Sequence, residues 1–236
     1  MAMNENIPPA PVYLIPWDPD SEEHVERMKV QRIACGWKVE LVESWRESQR
    51  KGDMGMHWVV LHPSHPSTTE RLSKHTTAFP DEASALRDTC KFVLHRAYRP
   101  SESLFHPIGH IALDAVTGDS GLLTSLSEGI LSLSKFYIST ALQNAGLGGA
   151  AMNALEKMAK EEFNAKAITL DTIAREECRV DSPRRIAMKR PVPSITNQDW
   201  YERRGYKVYG GSEWVDVDDT GKEWPVKGIY LRKELV

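Results

Sequence analysis

Three glycines fall within four positions, Gly146, Gly148 and Gly149, at the head of a segment otherwise suited to a helix. Glycine inside a helix costs about 1 kcal/mol relative to alanine, so the run Gln143-Asn-Ala-Gly-Leu-Gly-Gly-Ala-Ala151 should gain something in return. A turn of this composition can present successive backbone N–H groups to an anion, because no side chain stands between phosphate oxygens and the amides. The helix that follows adds a partial positive charge of about half an elementary charge at its N-terminus. No Gly-Lys-Ser/Thr follows the glycines, which excludes a P-loop.

Three readings of the turn stand side by side. The glycines can simply let a helix pack closely on a strand. Gly146, Gly148 and Ala151 also satisfy the dinucleotide pattern G-x-G-x-x-G/A, with Asp171 at the end of the next strand. That reading implies a nicotinamide-dependent oxidoreductase. Against it, polar residues separate the turn from the strand ending near Ile138, and hairpin-like segments rather than βα units follow. In the third reading, Gln143-x-x-Gly146-x-Gly148 is a loop that holds a pyrophosphate without lysine.

The elements that must position this turn can be read from periodicity. Val12–Ile15 suits a strand, Ser21 caps a helix closed by Gly36, and a second helix runs from Val39 to Gly52. Trp58–Leu61, Pro107–Val116, Ile130–Ile138 and Ala165–Thr172 read as strands. Leu147, Ala150, Ala151, Ala154, Leu155 and Met158 follow helical spacing to about Phe163. The proline-bearing polar stretch 62–83 reads as loop, and 86–97 suits either helix or strand. A short helix ends at Gly205, and closing strands follow around an Asp-Asp-Thr-Gly-Lys turn. The predicted class is α+β, with a mixed, mostly antiparallel central sheet flanked by helices. One domain is expected over 1–236, with a flexible lead at 1–11, an insertion at 62–104 and a long connection at 175–196.

The stretch from Leu133 through the glycine turn to Thr172, with Trp200-Tyr201-Glu202-Arg203-Arg204-Gly205-Tyr206 beyond it, resembles the GNAT superfamily of acetyl-CoA-dependent N-acetyltransferases. The order of the pieces carries the resemblance: an aromatic-aliphatic strand end, Q/R-x-x-G-x-G/A, an amphipathic helix, an apolar strand, then a helix bearing a tyrosine before Gly-Tyr. The resemblance implies that acetyl-CoA pairs with the main chain of Phe136, Tyr137 and Ile138. Gln143, Asn144, Ala145, Gly146, Leu147, Gly148 and Gly149 would cradle its pyrophosphate. An N–H near Ile138 would polarise the thioester carbonyl, and Tyr201 would protonate the leaving thiolate. Asn197 stands four residues before Tyr201, where family members often carry asparagine seven before, and Thr140 stands where proline is frequent. Trp200 and Tyr206 read as core.

An attacking alkylammonium has a pKa near 10, so a base or a water chain must take its proton. Asp114 and Glu128 are candidate bases, with Asp171 and His110 also near strand ends; each reads equally as a structural residue. The acceptor expected is a primary amine of a small molecule or peptide. A non-catalytic CoA-binding module of the same fold, and the NAD-dependent alternative, remain open.

The rest of the chain narrows the partners. Of 236 residues, 41% are hydrophobic and 27% charged, with a net charge of −3, so a nucleic-acid partner is not expected. Three scattered cysteines form no Cys-x-x-Cys, and His57, His62, His65 and His75 make no metal-ligand pattern, so no metal is expected. No apolar run is long enough to span a membrane. A cytoplasmic enzyme is expected, with a homodimer admitted by family habit. The net-basic segment Arg175–Arg190 reads as a solvated loop, or as a reach toward the cofactor's 3′-phosphate.

Overall fold

A computed structural model describes residues 8–117, 123–218 and 220–235. The chain forms two compact units, one from Met1–Thr117 and Leu133–Asn164, the other from Gly118–Ser132 and Ala165–Val236. The first seven residues of the expected lead, and residues 118–122, lie outside the described residues.

The first unit starts with β1 (Val12–Pro16), α1 (Glu22–Cys35), α2 (Val42–Lys51) and β2 (Met54–Leu61). Ser21 caps α1 by accepting from the His24 amide, and Gly36 and Gly52 close the two helices in the left-handed region. Next come α3 (Thr68–Ala78) and the two-residue strands β3 (Leu86–Arg87), β4 (Phe92–Val93), β5 (Arg96–Ala97) and β6 (Leu104–Phe105). The long strand β7 (Pro107–Asp114), β8 (Ile130–Ile138) from Leu133 onward and the helix α4 (Leu147–Phe163) complete it. β2 pairs antiparallel with β1 on one side and β7 on the other. Every residue of β2 and β7 is buried, so both faces of these strands are covered. Trp17, Trp45, Trp58, Met28 and Met56 form the centre of the core. Each well-buried side chain of this size contributes roughly 1.5–3 kcal/mol.

The stretch expected as loop at 62–83 instead contains α3. Its buried side chain is His75, and it carries no apolar stripe. Hydrophobic periodicity has nothing to report in such a helix. The ambiguous segment 86–97 resolves into short paired strands, β3 with β6 and β4 with β5.

In the second unit, residues Ile130–Ser132 of β8 pair in parallel with Ala167–Thr169 of β9 (Ala167–Ile173). The helix α5 (Pro183–Ala187) interrupts the long connection, α6 (Asn197–Arg203) follows it, and both precede the hairpin β10 (Lys207–Val217) and β11 (Glu223–Glu234). β11 pairs antiparallel with both β9 and β10. The hydrogen-bonded strand order is β1-β2-β7-β8-β9-β11-β10, the mixed and mostly antiparallel sheet with flanking helices that the sequence predicts.

Candidate functional site

The site begins with a distortion in β8. Lys135 has φ 51°, a left-handed conformation for a residue with a side chain. Such residues cost about 1–3 kcal/mol and persist only where their surroundings over-determine them. Here the Lys135 ammonium donates to both carboxylate oxygens of Asp114 at 3.0 Å and to Ser134 Oγ at 2.9 Å. It also lies 5.7 Å from the Trp45 ring centroid. Asp114, a candidate base, is therefore the partner of a lysine.

Beyond the kink, β8 is held hard against β7. A Cβ on Gly109 would lie 2.1 Å from the Tyr137 carbonyl oxygen. Only glycine admits that approach. The Ser139 amide donates to the Ile108 carbonyl at 2.8 Å. Successive amides of a strand point to opposite sides, so the Ile138 N–H is turned away from β7. On that same side Gln143 Nε2 donates to the Ile138 carbonyl at 3.1 Å. The Gln143 side chain thus braces the turn against the strand.

The turn itself has the geometry that the glycines suggest. Asn144 and Gly146 are left-handed, with φ 64° and 77°, and Gly146 is the N-cap of α4 with no side-chain cap. The first helical bond runs from the Ala150 amide to the Gly146 carbonyl at 3.1 Å. Among the described residues, the amides of Gly146, Leu147 and Gly148 donate to no backbone acceptor. Nothing approaches within 4 Å of where a Gly146 Cβ would stand. Open amides, a bare glycine surface and a 17-residue helix behind them fit a diphosphate.

Tyr201 lies in the second unit, on α6. Thr196 caps that helix by accepting from the Asp199 amide at 3.1 Å. The Tyr201 ring is buried between Trp200 and Tyr206, with centroids 5.0 and 5.7 Å away. Burial first, and the charge of Asp171 second, push its phenol above the ordinary tyrosine range. It stays protonated at any physiological pH, as a proton donor must. Tyr206 is core as expected, and Trp200 is half-buried beneath Arg204. Asn197 is exposed at the first turn of α6, while its neighbour Gln198 is buried and accepts from the Arg175 amide at 2.8 Å.

The basic connection is tied down by acids. Arg175 pairs with Asp199 at 2.5 Å and with Glu202, and Arg184 pairs with Asp216 at 2.9 Å and with Glu177 at 3.6 Å. The Arg175 pairs lie at the surface, whereas the Arg184 guanidinium is buried among its acids. Glu128 is exposed, and so is Asp171. His110 is fully buried between Gln31 and Arg32, and burial and the Arg32 charge hold it neutral, well below the usual histidine range. That is a structural histidine. No group of three or more His, Cys, Asp or Glu that could hold a metal occurs among the described residues.

Sequence reasoning passed over Lys135, whose backbone conformation no residue type announces. It also passed over Ser139 and Glu82 and weighed His75 only as a metal ligand; the three meet inside the first unit. Their spacing in the chain offers no signal, because 57 residues separate Glu82 from Ser139 (139 − 82).

The family model for the acetyltransferase (GNAT) family matches residues 45–179. The chain belongs to that family, whose acyl donor is acetyl-CoA. No curated protein matches it. Among solved structures it is similar to Arabidopsis thaliana NAA60 in complex with acetyl-CoA, at 10% identity and TM-score 0.50, covering 94% of this chain and 98% of that one. The same protein with a bisubstrate analogue matches at 13% identity and TM-score 0.49, covering 94% and 98%. Aminoglycoside 6′-N-acetyltransferase from Enterococcus faecium matches at 12% identity and TM-score 0.48, covering 94% and 97%. At 10% identity the likeness to the acetyl-CoA complex is one of fold. In the described residues no helix is long and apolar enough to cross a membrane.

Proposed function

We propose that this protein transfers the acetyl group of acetyl-CoA to a primary amine of a small-molecule or peptide acceptor, by direct attack within a ternary complex. The observation that carries the reading is the set of backbone amides from Gly146 to Gly148 that, among the described residues, have no backbone acceptor at the head of α4. Acetyl-CoA supplies an activated thioester. The amides of the turn bind its diphosphate, with Gln143 bracing them against the end of β8. Phe136, Tyr137 and Ile138 supply main-chain groups along the pantetheine arm, and the outward-turned Ile138 N–H stabilises negative charge on the reacting carbonyl oxygen. The leaving thiolate takes up a proton, the role the family resemblance gives to Tyr201, whose phenol burial keeps protonated. The acceptor ammonium gives up its proton to a carboxylate or a water chain before attack.

The test is twofold. Calorimetric titration with CoA, acetyl-CoA and NAD(H) should show binding of the CoA species alone. A panel of polyamines, aminoglycosides, arylamines, amino acids and peptides, with thiol release as readout, then identifies the acceptor. Binding of NAD(H) without CoA would overturn the reading. CoA binding with no turnover on any amine would support a non-catalytic module instead.

A further inference from the structure

We propose that His75 is a positioning residue for the anion-binding turn, acting through Ser139; the inference rests on reading that turn as the CoA site. Ser139 is the hinge between β8 and the turn. It is tied in three directions. Its amide donates to the Ile108 carbonyl at 2.8 Å, its carbonyl accepts from the Leu142 amide at 2.8 Å, and its hydroxyl lies 2.9 Å from His75 Nδ1. Only the third tie comes from a side chain, and it fixes the hinge to α3.

A chain of polar groups stands behind His75. Glu82 Oε2 faces the other ring nitrogen, Nε2, at 3.5 Å. Gln31 Nε2 donates to that same oxygen at 2.7 Å, and Gln31 Oε1 meets His110 Nδ1 at 2.9 Å. Ser139, His75, Glu82, Gln31 and His110 are each 0% exposed. A carboxylate facing Nε2 favours the tautomer with its proton there, which leaves Nδ1 to accept from the Ser139 hydroxyl. At 3.5 Å Glu82 orients that nitrogen by charge rather than by a tight bond.

This arrangement is costly for stability alone. Buried polar groups destabilise unless fully paired, and among the described residues His75 Nε2 and Glu82 Oε1 have no hydrogen-bond partner. Apolar side chains would fill the space better. What the chain provides is a fixed direction for Ser139. His75 is the buried residue of α3, and that helix packs on the short turn Thr140–Leu142 that leads into Gln143. An otherwise polar helix is thus anchored through one residue, at the point where the strand becomes the phosphate-binding turn.

The variants His75→Asn, His75→Gln and Ser139→Ala test this in the full chain. An asparagine oxygen can stand near the place of Nδ1 and accept from Ser139, whereas a glutamine amide reaches the place of Nε2. Two readouts are taken on folded protein: hydrogen exchange at the Leu142 amide without ligand, and CoA affinity by calorimetry. His75→Gln and Ser139→Ala should speed exchange at Leu142 and weaken CoA by about tenfold, while His75→Asn stays within about threefold of the parent. Should His75→Gln fail to fold, Ser139→Ala against His75→Asn carries the comparison. Unchanged exchange at Leu142 in the folded Ser139→Ala protein overturns the positioning role. Faster exchange with unchanged CoA affinity also overturns it. A parent protein that binds no CoA overturns the cofactor reading instead, and the exchange experiment still judges the brace.

Discussion

Lys135 and Asp114 form a two-oxygen ion pair at 3.0 Å, and the lysine that makes it has a left-handed backbone. The pair is mostly shielded, with side chains 18% and 12% exposed. It holds β8 in a conformation that the strand would not otherwise keep. Asp114→Asn should therefore cost about 1–3 kcal/mol in stability, the value of a hydrogen bond to a charged group. Denaturant titration checks the stability, and kcat checks the chemistry. A loss of kcat beyond about 100-fold with stability retained would instead mark Asp114 as the base.

Two glycines separate packing from binding. Gly109→Ala would drive a methyl group into the Tyr137 carbonyl at 2.1 Å, so it should cost 1–3 kcal/mol or more, in the range of overpacked cores. Gly146→Ala meets no atom of the described residues beyond its own turn but keeps a left-handed φ of 77°, at about 1–2 kcal/mol. Its added methyl sits beside the open amides, so CoA affinity should fall more than stability does. Thermal melts paired with CoA titrations distinguish the two; equal CoA affinity in Gly146→Ala and the parent would remove the turn from the binding site.

Tyr201→Phe should keep CoA binding and lower kcat by about 100-fold or more, the contribution of a positioned general acid. The raised phenol predicts that the rate of the parent shows no tyrosine ionisation below about pH 10. The same shift has a consequence for stability. The unfolded chain releases this proton from about pH 10 while the folded chain holds it, so stability falls as pH rises past 10. A pH–rate profile and alkaline unfolding curves measure both. Full activity in Tyr201→Phe would rule out the acid role.

Acid should destabilise the protein before its carboxylates titrate. Burial holds His57 at about 4, against an ordinary value of 6.5, and lowers His24 and His110 as well. Below pH 6.5 the unfolded chain takes up protons that the folded chain refuses. Stability is therefore full above pH 6.5 and drains away down to about pH 4, with His57 alone contributing roughly 3 kcal/mol over that window. Urea unfolding at pH 7.5, 6.0 and 5.0 should show the fall, and His57→Gln should flatten it.

How much of this was legible beforehand depended on whether the signal was local. The ends of α4 stood in the sequence because its apolar stripe and glycines mark them, and Leu147–Phe163 is the helix observed. The caps at Ser21, Gly36 and Gly52 did too, since each acts within one turn of its own helix. The helix α3 did not, because its place depends on His75 finding Ser139 across the fold rather than on a stripe of its own. Asn197 and Gln198 show the finer limit. Two adjacent amides look alike in a sequence, and packing alone buries the second and exposes the first.

Residue order by itself determined the open glycine turn, the family and the run of strands around it, because glycine freedom, helix caps and apolar alternation all act between near neighbours. Tertiary structure alone decided that Lys135 is bent, that Asp114 serves it, and that Ser139, His75 and Glu82 share one interior. Those facts rest on side chains far apart in the chain sharing water-free space, where a charge or hydroxyl must find a partner, and no pattern of neighbouring letters records which partner that is.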